Sequence, residues 1–388
     1  MHLTRLALEN FRSYPDAELH PDPGLTIVTG PNGAGKTNLL EAVHVTITGR
    51  SHRATADHEL VRHGATFARV RLDLAGSGSD PARIELLLPG LEPPPGLRKR
   101  LSVNGIPRRS AAVNETARAV LFRPEEMLLL VGSPSERRRF LDAILAQRNR
   151  RIARDLVELA RVLAQRNALL RAIRGEEAGP EGLSFWDDRL TEVGSRVMAA
   201  RLELVAELGE RIGPLHEAVA PAEERGEEVR FVYLDTLKEA WPRRGGLAGP
   251  AELAEAFRQR LAAIRQKEIW NGTSLAGPQR DDLRVELRGR DVASHASRGQ
   301  QRTIILAMKL AETDLLGANG GPTPVVLLDD IFSELDADRS GRVLDLLTQR
   351  GQVLVTMADL GALPGHRRRN VPIWHVDQGR LSVAPRVA

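Results

Sequence analysis

The chain has 388 residues, is 42% hydrophobic and 27% charged, and carries a formal net charge of +4, the balance of a folded protein with one large or two ordinary domains. It contains no cysteine, which excludes disulfides, thiolate zinc sites and thiol catalysis. No apolar run reaches the roughly 18 residues that a membrane span needs, and Met1-His2-Leu3-Thr4-Arg5 lacks a hydrophobic signal core, so a cytoplasmic protein with no membrane partner is expected.

Residues 3–9 alternate like a short strand, and Leu25-Thr26-Ile27-Val28-Thr29 is a second strand that runs into a glycine-rich turn. A helix is predicted from Lys36, with Leu39, Leu40 and Val43 as its apolar positions. Ala68–Leu74, Arg83–Leu88 and Arg100–Val103 are strand-like pieces parted by Gly/Pro turns, which predicts a β-meander. From 136 to 174 the apolar residues recur every three, four or seven positions, the helical period. A second helix is predicted over 185–212, turn-rich and strand-poor sequence over 213–249, and a third helix over 251–269. Sheet-like sequence returns at 271. Leu283–Leu287, Val325–Leu328 and Val353–Val355 are strand candidates, Gln300–Leu316 is a helix closed by Gly317, and Ile373–Val383 is a hairpin. The predicted architecture is an α/β domain built from both chain ends, 1–120 and 271–388, with a mainly helical lobe, 121–270, inserted between.

Gly30-Pro31-Asn32-Gly33-Ala34-Gly35-Lys36-Thr37 matches G-x-x-x-x-G-K-[ST] in full. Glycines let backbone N–H groups close around phosphates, and the helix starting at Lys36 directs its positive end at the same anion. Lys36 is expected to reach the β and γ phosphates of ATP, and the Thr37 hydroxyl to ligate Mg2+. Asp329 follows the all-apolar run Val325–Leu328 and fits the role of holding the Mg2+ through water. Asp330 is expected to polarise the attacking water.

Ser297-Arg298-Gly299-Gln300-Gln301-Arg302 resembles the signature of ABC-type ATPases, where a serine and a glycine open a helix. Ser333-Glu334-Leu335-Asp336, four residues beyond Asp329, resembles the loop that lines the dimer interface of that class. The order of these motifs identifies the fold class as an ABC-type P-loop ATPase head. Ser297, Gly299 and Gln300 are then expected to bind the γ-phosphate held by a second copy.

Other segments narrow the resemblance. They are Leu8-Glu9-Asn10-Phe11-Arg12, Asn38-Leu39-Leu40-Glu41-Ala42, Ser51-His52-Arg53, Phe122-Arg123-Pro124-Glu125-Glu126, Gly132–Arg138, Gly277-Pro278-Gln279-Arg280-Asp281-Asp282 and Leu327–Asp336. Together they resemble the RecF family, a relative of SMC heads, over nearly the whole chain. Gln279 stands where that family usually has a histidine. The resemblance implies a weak ATPase that forms a homodimer around two ATP molecules. That dimer would clamp duplex DNA at single-strand/double-strand junctions and act with RecR and RecO to load RecA. It also implies that Asn38, Arg12 and Arg53 lie at the nucleotide.

Residues 136–174 hold eleven arginines against four acids, a candidate phosphate-contact surface; Leu97–Arg100 with Arg108-Arg109 is a second. Only 4% of residues are aromatic, and a single one, Phe140, falls within the basic runs, which favours duplex backbone contact over a stacking platform. The competing readings are a transporter ATPase and an SMC-like head. Lys36 and Ser297 lie 261 positions apart, too little for the coiled coil that an SMC arm needs. A nuclease built on a related head would need a further acidic cluster, which the sequence lacks.

Overall fold

Phe67–Gly76 is buried at alternate residues (Ala68, Val70, Leu72, Leu74), so one face of the strand meets the core and the other meets solvent. This strand, β4, is central in an antiparallel sheet with β1 (His2–Phe11), β2 (Tyr14–Leu19), β5 (Ser79–Pro89), β6 (Arg100–Val103) and β7 (Ile106–Pro107), in the order β2-β1-β4-β5-β6-β7. The structure is a computed structural model that describes residues 2–76, 79–237, 248–318, 320–335, 337–362 and 371–383.

A second sheet has the order β15-β14-β3-β13-β12-β8, from β3 (Leu25–Thr29), β8 (Ala119–Phe122), β12 (Val325–Asp329), β13 (Val353–Met357), β14 (Ile373–Asp377) and β15 (Arg380–Val383). All its pairings are parallel except the β14–β15 hairpin. Every residue of β12 and β13 is buried, as an all-apolar strand covered on both faces must be. Helix α1 (Lys36–Thr48) leaves the end of β3 and buries Leu39, Leu40, Val43, Val45 and Ile47. Gln352 ties the two sheets together: it accepts from Leu3 N (2.7 Å) and donates to Leu3 O (2.8 Å) and Asp22 O (2.7 Å).

These sheets belong to a unit made of Met1–Glu126, Ala218–Glu223 and Leu306–Ala388. A second unit comprises Met127–Glu217 and Glu224–Ile305. Residues 271–305, which the sequence pattern groups with the ATPase domain, fall in this second unit. The reason is pairing: β10 (Asp282–Leu287) hydrogen-bonds along its length to β9 (Val229–Leu234), with β11 (Arg290–Asp291) beyond it. Strand β9 also corrects the expectation of strand-poor sequence over 213–249.

The predicted helix over 136–174 is two helices, α2 (Pro134–Arg148) and α3 (Arg150–Arg174), joined at Asn149. The Asn149 side chain accepts from the N–H groups of Arg151 and Ile152 and so caps α3, a role that asparagine performs better than it continues a helix. Helix α4 (Leu183–Val219) runs antiparallel to α3 through ion pairs Arg166–Asp187, Glu158–Arg189, Asp155–Arg196 and, at the end of α2, Arg148–Glu207. Helix α5 (Pro250–Asn271) completes this core with Leu253, Phe257 and Leu261 against Leu159, Val162, Val193 and Val197. Helix α6 (Arg298–Gly317) starts in the second unit and ends in the first.

Candidate functional site

Ligands of parallel sheets collect at the carboxyl ends of the strands, and four chemically active side chains meet there. Loop 30–35 follows β3. Gly30 (φ +150°) and Gly35 (φ +118°) adopt backbone angles reserved for glycine. A methyl group on Gly30 would strike Val376 O, and one on Gly35 would lie 2.7 Å from Ser13 Oγ. Pro31, Asn32, Gly33 and Ala34 make the turn between them, with Ala34 N donating to Pro31 O (3.2 Å).

Lys36 Nζ donates to Gly30 O (2.7 Å) and Pro31 O (3.0 Å), so the ammonium lies across the mouth of the loop. Burial pushes its pKa down, and Asp330 and Asp329 push it back up. Thr37 Oγ1 donates to Asp329 Oδ1 (3.0 Å), and Thr356 Oγ1 on β13 donates to the same oxygen (2.7 Å). A hydroxyl and a carboxylate in direct contact fit Mg2+, which takes a few hard oxygens from protein and keeps waters and phosphate oxygens for the rest. Asp330, next along, has φ +51°. Aspartate is one of the few side chains that tolerate this left-handed conformation, which turns the chain sharply at the end of β12. Its N–H donates to Thr356 O (3.1 Å). Ser333 Oγ closes the following turn onto Asp330 O (2.8 Å). Asp336, the last residue of the interface-loop motif, lies outside the described residues.

Arg12 is held against α1 by a residue to which the sequence pattern assigns no role. Glu41 is fully buried on α1 and takes a bidentate pair from Arg12, Nε at 2.9 Å and Nη2 at 3.0 Å. It also accepts from Ser51 Oγ (2.5 Å). Arg53 Nη1 reaches Asn38 Oδ1 (3.2 Å), and Asn38 Nδ2 donates to Ser13 Oγ (3.0 Å). Glu41 therefore positions both arginines named in the sequence analysis, through Arg12 directly and through the Ser51 turn that carries Arg53. The signal for it is a lone carboxylate on an otherwise apolar helix face.

Behind α1, His44 and His52 meet edge to face, with ring centroids 5.6 Å apart. Burial pushes both pKa values down to about 3, with further push from neighbouring cations, Lys309 and Arg123 on His44 and Arg123, Arg53 and Arg12 on His52. Both folded values lie below the unfolded one of about 6.5. Unfolding thus takes up protons at acid pH: the contribution to stability is complete above about pH 6.5 and is lost as pH falls towards 3. Each ring is expected to remove about 2 kcal/mol between pH 7 and pH 5. Urea unfolding of His52→Gln at the two pH values should show the smaller loss; equal losses in variant and wild type would refute the assignment.

The signature residues form their own cluster in the second unit. Ser297 caps α6 in a reciprocal box: Gln300 N donates to Ser297 Oγ (3.1 Å) and Ser297 N donates to Gln300 Oε1 (3.0 Å). Gly299 lies in the first turn and accepts from Thr303 Oγ1 (3.0 Å). The buried Glu227 receives Gln300 Nε2 (3.2 Å) and Arg288 Nη2 (2.6 Å), fixing the Gln300 side chain. Sequence reasoning misses Glu227 because it sits in a turn seventy-odd positions away with no motif around it. Gln279 donates to Ala276 O (2.7 Å), a local turn contact.

Of the eleven arginines of 136–174, several are used internally. Arg137 pairs with Asp282, Arg138 donates to Asp281 O, and Arg148 and Arg166 join the ion pairs named above. Arg150, Arg151, Arg154, Arg161, Arg171 and Arg174 are exposed on α3, the subset able to meet phosphates. In the second basic region Lys99 is held by Asp57 (2.8 Å). Among the described residues no helix is long and apolar enough to cross a membrane.

The sequence pattern of the family described as RecF/RecN/SMC N terminal domain matches residues 2–380. The chain is similar to the DNA replication and repair protein RecF of Chloroflexus aggregans, 35% identical over 398 residues that cover 98% of this chain and 99% of the relative. It is similar to the solved structure of the recombination mediator protein RecF-ATP in the RecFOR pathway, with TM-score 0.87 and 25% identity over 99% of this chain and 98% of that one. An SMC head bound to the C-winged helix domain of ScpA has TM-score 0.54 at 15% identity, over 99% of this chain and 97% of that one, a likeness of fold.

Proposed function

Because the chain belongs to the RecF family of RecF/RecN/SMC-type ATPases, we propose that it is an ATP-switched DNA-binding protein of recombinational repair and replication restart. The observation that carries the ATP part is the contact of Thr37 Oγ1 with Asp329 Oδ1, beside Asp330 in its left-handed conformation. The amides of loop 30–35 cradle the phosphates and Lys36 neutralises the β and γ oxygens. Thr37 and Asp329 would hold Mg2+, which would supply charge neutralisation at the phosphates. Asp330 orients water for attack.

In this proposal Ser297, Gly299 and Gln300 close on the γ-phosphate of a second copy, so that ATP is the glue of a homodimer. The dimer clamps duplex DNA next to a gap, and slow hydrolysis releases it. RecR and RecO are the protein partners expected for a RecFOR-pathway member, with RecA loading as the outcome. Turnover of ATP tests the reading: it should be slow without DNA and rise with gapped duplex. Turnover indifferent to DNA would contradict the coupling.

The cross-copy role of the signature gives a further expected result. Ser297→Arg should bind ATP as the wild type does, since the residue is outside the phosphate loop, yet remain a monomer in ATP by light scattering. A normal ATP-dependent dimer would disprove the role.

A further inference from the structure

Trp270 is 78% exposed at the end of α5. An indole left in water gives up the burial that usually stabilises a tryptophan. The chain around it folds tightly. Gly272 caps α5 with φ +65°, and a methyl placed on it would lie 3.0 Å from Arg171 Cγ and 3.2 Å from the Arg174 guanidinium carbon. Arg174 Nη1 donates to Asn271 O (3.4 Å), and Arg280 Nε donates to Ser274 O (3.0 Å). The end of α3 and the turn after α5 thus bring Arg171, Arg174, Lys267 and Arg280 to the neighbourhood of Trp270. All four are exposed, and among the described residues none has a carboxylate within ion-pair distance.

The only carboxylate between Ile264 and Arg280 is Glu268. It is fully buried and taken by Arg166 (2.6 Å) and Leu275 N (2.7 Å), so it offers no repulsion to an anion outside. Phe185, exposed at the same end of the bundle, differs: its sequence neighbours Glu181 and Asp188 are acidic and exposed. The loop after α3 also carries the exposed Glu176 and Glu177, outnumbered at this end by Arg171, Arg174, Lys267 and Arg280. In the linear sequence the one aromatic within the basic run of 136–174 is Phe140, which is buried; the fold supplies an exposed one from about a hundred residues further on.

We propose that Trp270 is a stacking platform for an unpaired base of single-stranded DNA, with Arg171, Arg174, Lys267 and Arg280 on the flanking phosphates. An exposed planar ring with unpaired cations on the adjoining turn and one helical turn back is the chemistry that binds single strands, stacking for the base and positive charge for the flanking phosphates. The proposal rests on the DNA-binding reading above and refines it: the helical unit reads the gap and not only the duplex beside it.

The test uses the full chain with ATP and two labelled DNAs of equal length, one with a short single-stranded gap and one fully paired. Trp270→Ala should weaken binding to the gapped DNA by about tenfold, the effect of losing one stacked base, and leave the paired DNA unaffected. Trp270→Phe should restore most of the loss. An equal affinity of Trp270→Ala and wild type for gapped DNA would overturn the proposal and return the patch to a protein contact. Equal weakening on both DNAs would overturn it too, by removing the selectivity. A wild type that binds neither DNA would instead sink the DNA-binding reading itself, so the two failures are distinct.

Discussion

Lys36→Met should abolish ATP binding, and with it the ATP-dependent dimer. Methionine keeps the apolar stem of the lysine and its length, so the helix and the buried part of the side chain are preserved. What goes is the ammonium that bridges Gly30 O and Pro31 O and that is proposed to meet the phosphates. The negative charges of ATP would then enter a loop with Asp329 and Asp330 nearby and no lysine to balance them. Charge-assisted hydrogen bonds of this kind contribute about 1.5–3 kcal/mol each. Removing the bonds to both the β and γ phosphates predicts an affinity at least about a hundredfold weaker. A fluorescent ATP analogue titrated against both proteins reads this directly. A thermal-shift assay gives a second readout, since ligand stabilisation of the folded state disappears with binding. A Lys36→Met protein that binds ATP within tenfold of the wild type would remove the phosphate role from this loop.

The second large effect is on turnover. Asp330→Asn should bind ATP normally and hydrolyse it about a hundred- to ten-thousandfold more slowly, the usual worth of a positioned general base. Asparagine is the informative substitution here for a backbone reason. Asp330 has φ +51°, and asparagine is among the few residues that accept this region with little strain. Its N–H contact to Thr356 O involves only backbone and survives. The variant therefore isolates the carboxylate charge from the strained turn that presents it. The dimer should persist in ATP for far longer than that of the wild type, as read by light scattering after dilution. Near-normal hydrolysis would assign the base to another group.

Much of this site is legible in the sequence because its chemistry is local. The phosphate loop, the strand before it and the helix after it occupy 24 consecutive positions, 25–48, and each carries its own period or turn signal. The carboxylates Asp329 and Asp330 are found the same way, at the end of an unbroken apolar strand. The capping role of Ser297 follows from a small residue ahead of a helical pattern.

What escapes is set by partners distant in sequence. Strand β8 lies beside β12, whose first residue is 206 positions from its own, and four apolar residues alone cannot announce that. Strand β9 is hidden in glutamate- and glycine-rich surroundings and becomes a strand by pairing with β10. Asn149 breaks α2 from α3 without disturbing the apolar period, because the core-facing rows resume in phase after one capping residue. Glu41 reads as a solvent charge until Arg12 and Ser51 are seen to close over it. The arginines at the end of α3 come to the turn that follows Trp270, at Asn271 and Gly272, only through the packing of α5 on α3.

The arginine surplus needs the same correction. Eleven arginines in 136–174 suggest one broad basic surface, but the fold turns several inward. Arg166 is 1% exposed and holds Asp187, Glu268 and Ser274 together, and Arg201 of α4 binds Asp142 and Pro278 O. Such buried pairs are costly to break singly, so neutralising them would unfold the helical unit rather than report on DNA. Tests of phosphate contact belong on the exposed set, Arg150, Arg151, Arg154, Arg161, Arg171 and Arg174.

The central claim is that ATP switches this protein onto DNA. The most direct measurement is the affinity of the wild type for a gapped duplex, by fluorescence anisotropy, with ATP, with ADP and without nucleotide, across a range of salt. The account predicts tight binding with ATP alone, falling steeply as salt rises because phosphate contacts release counterions. Affinity that is the same in all three nucleotide states would contradict it.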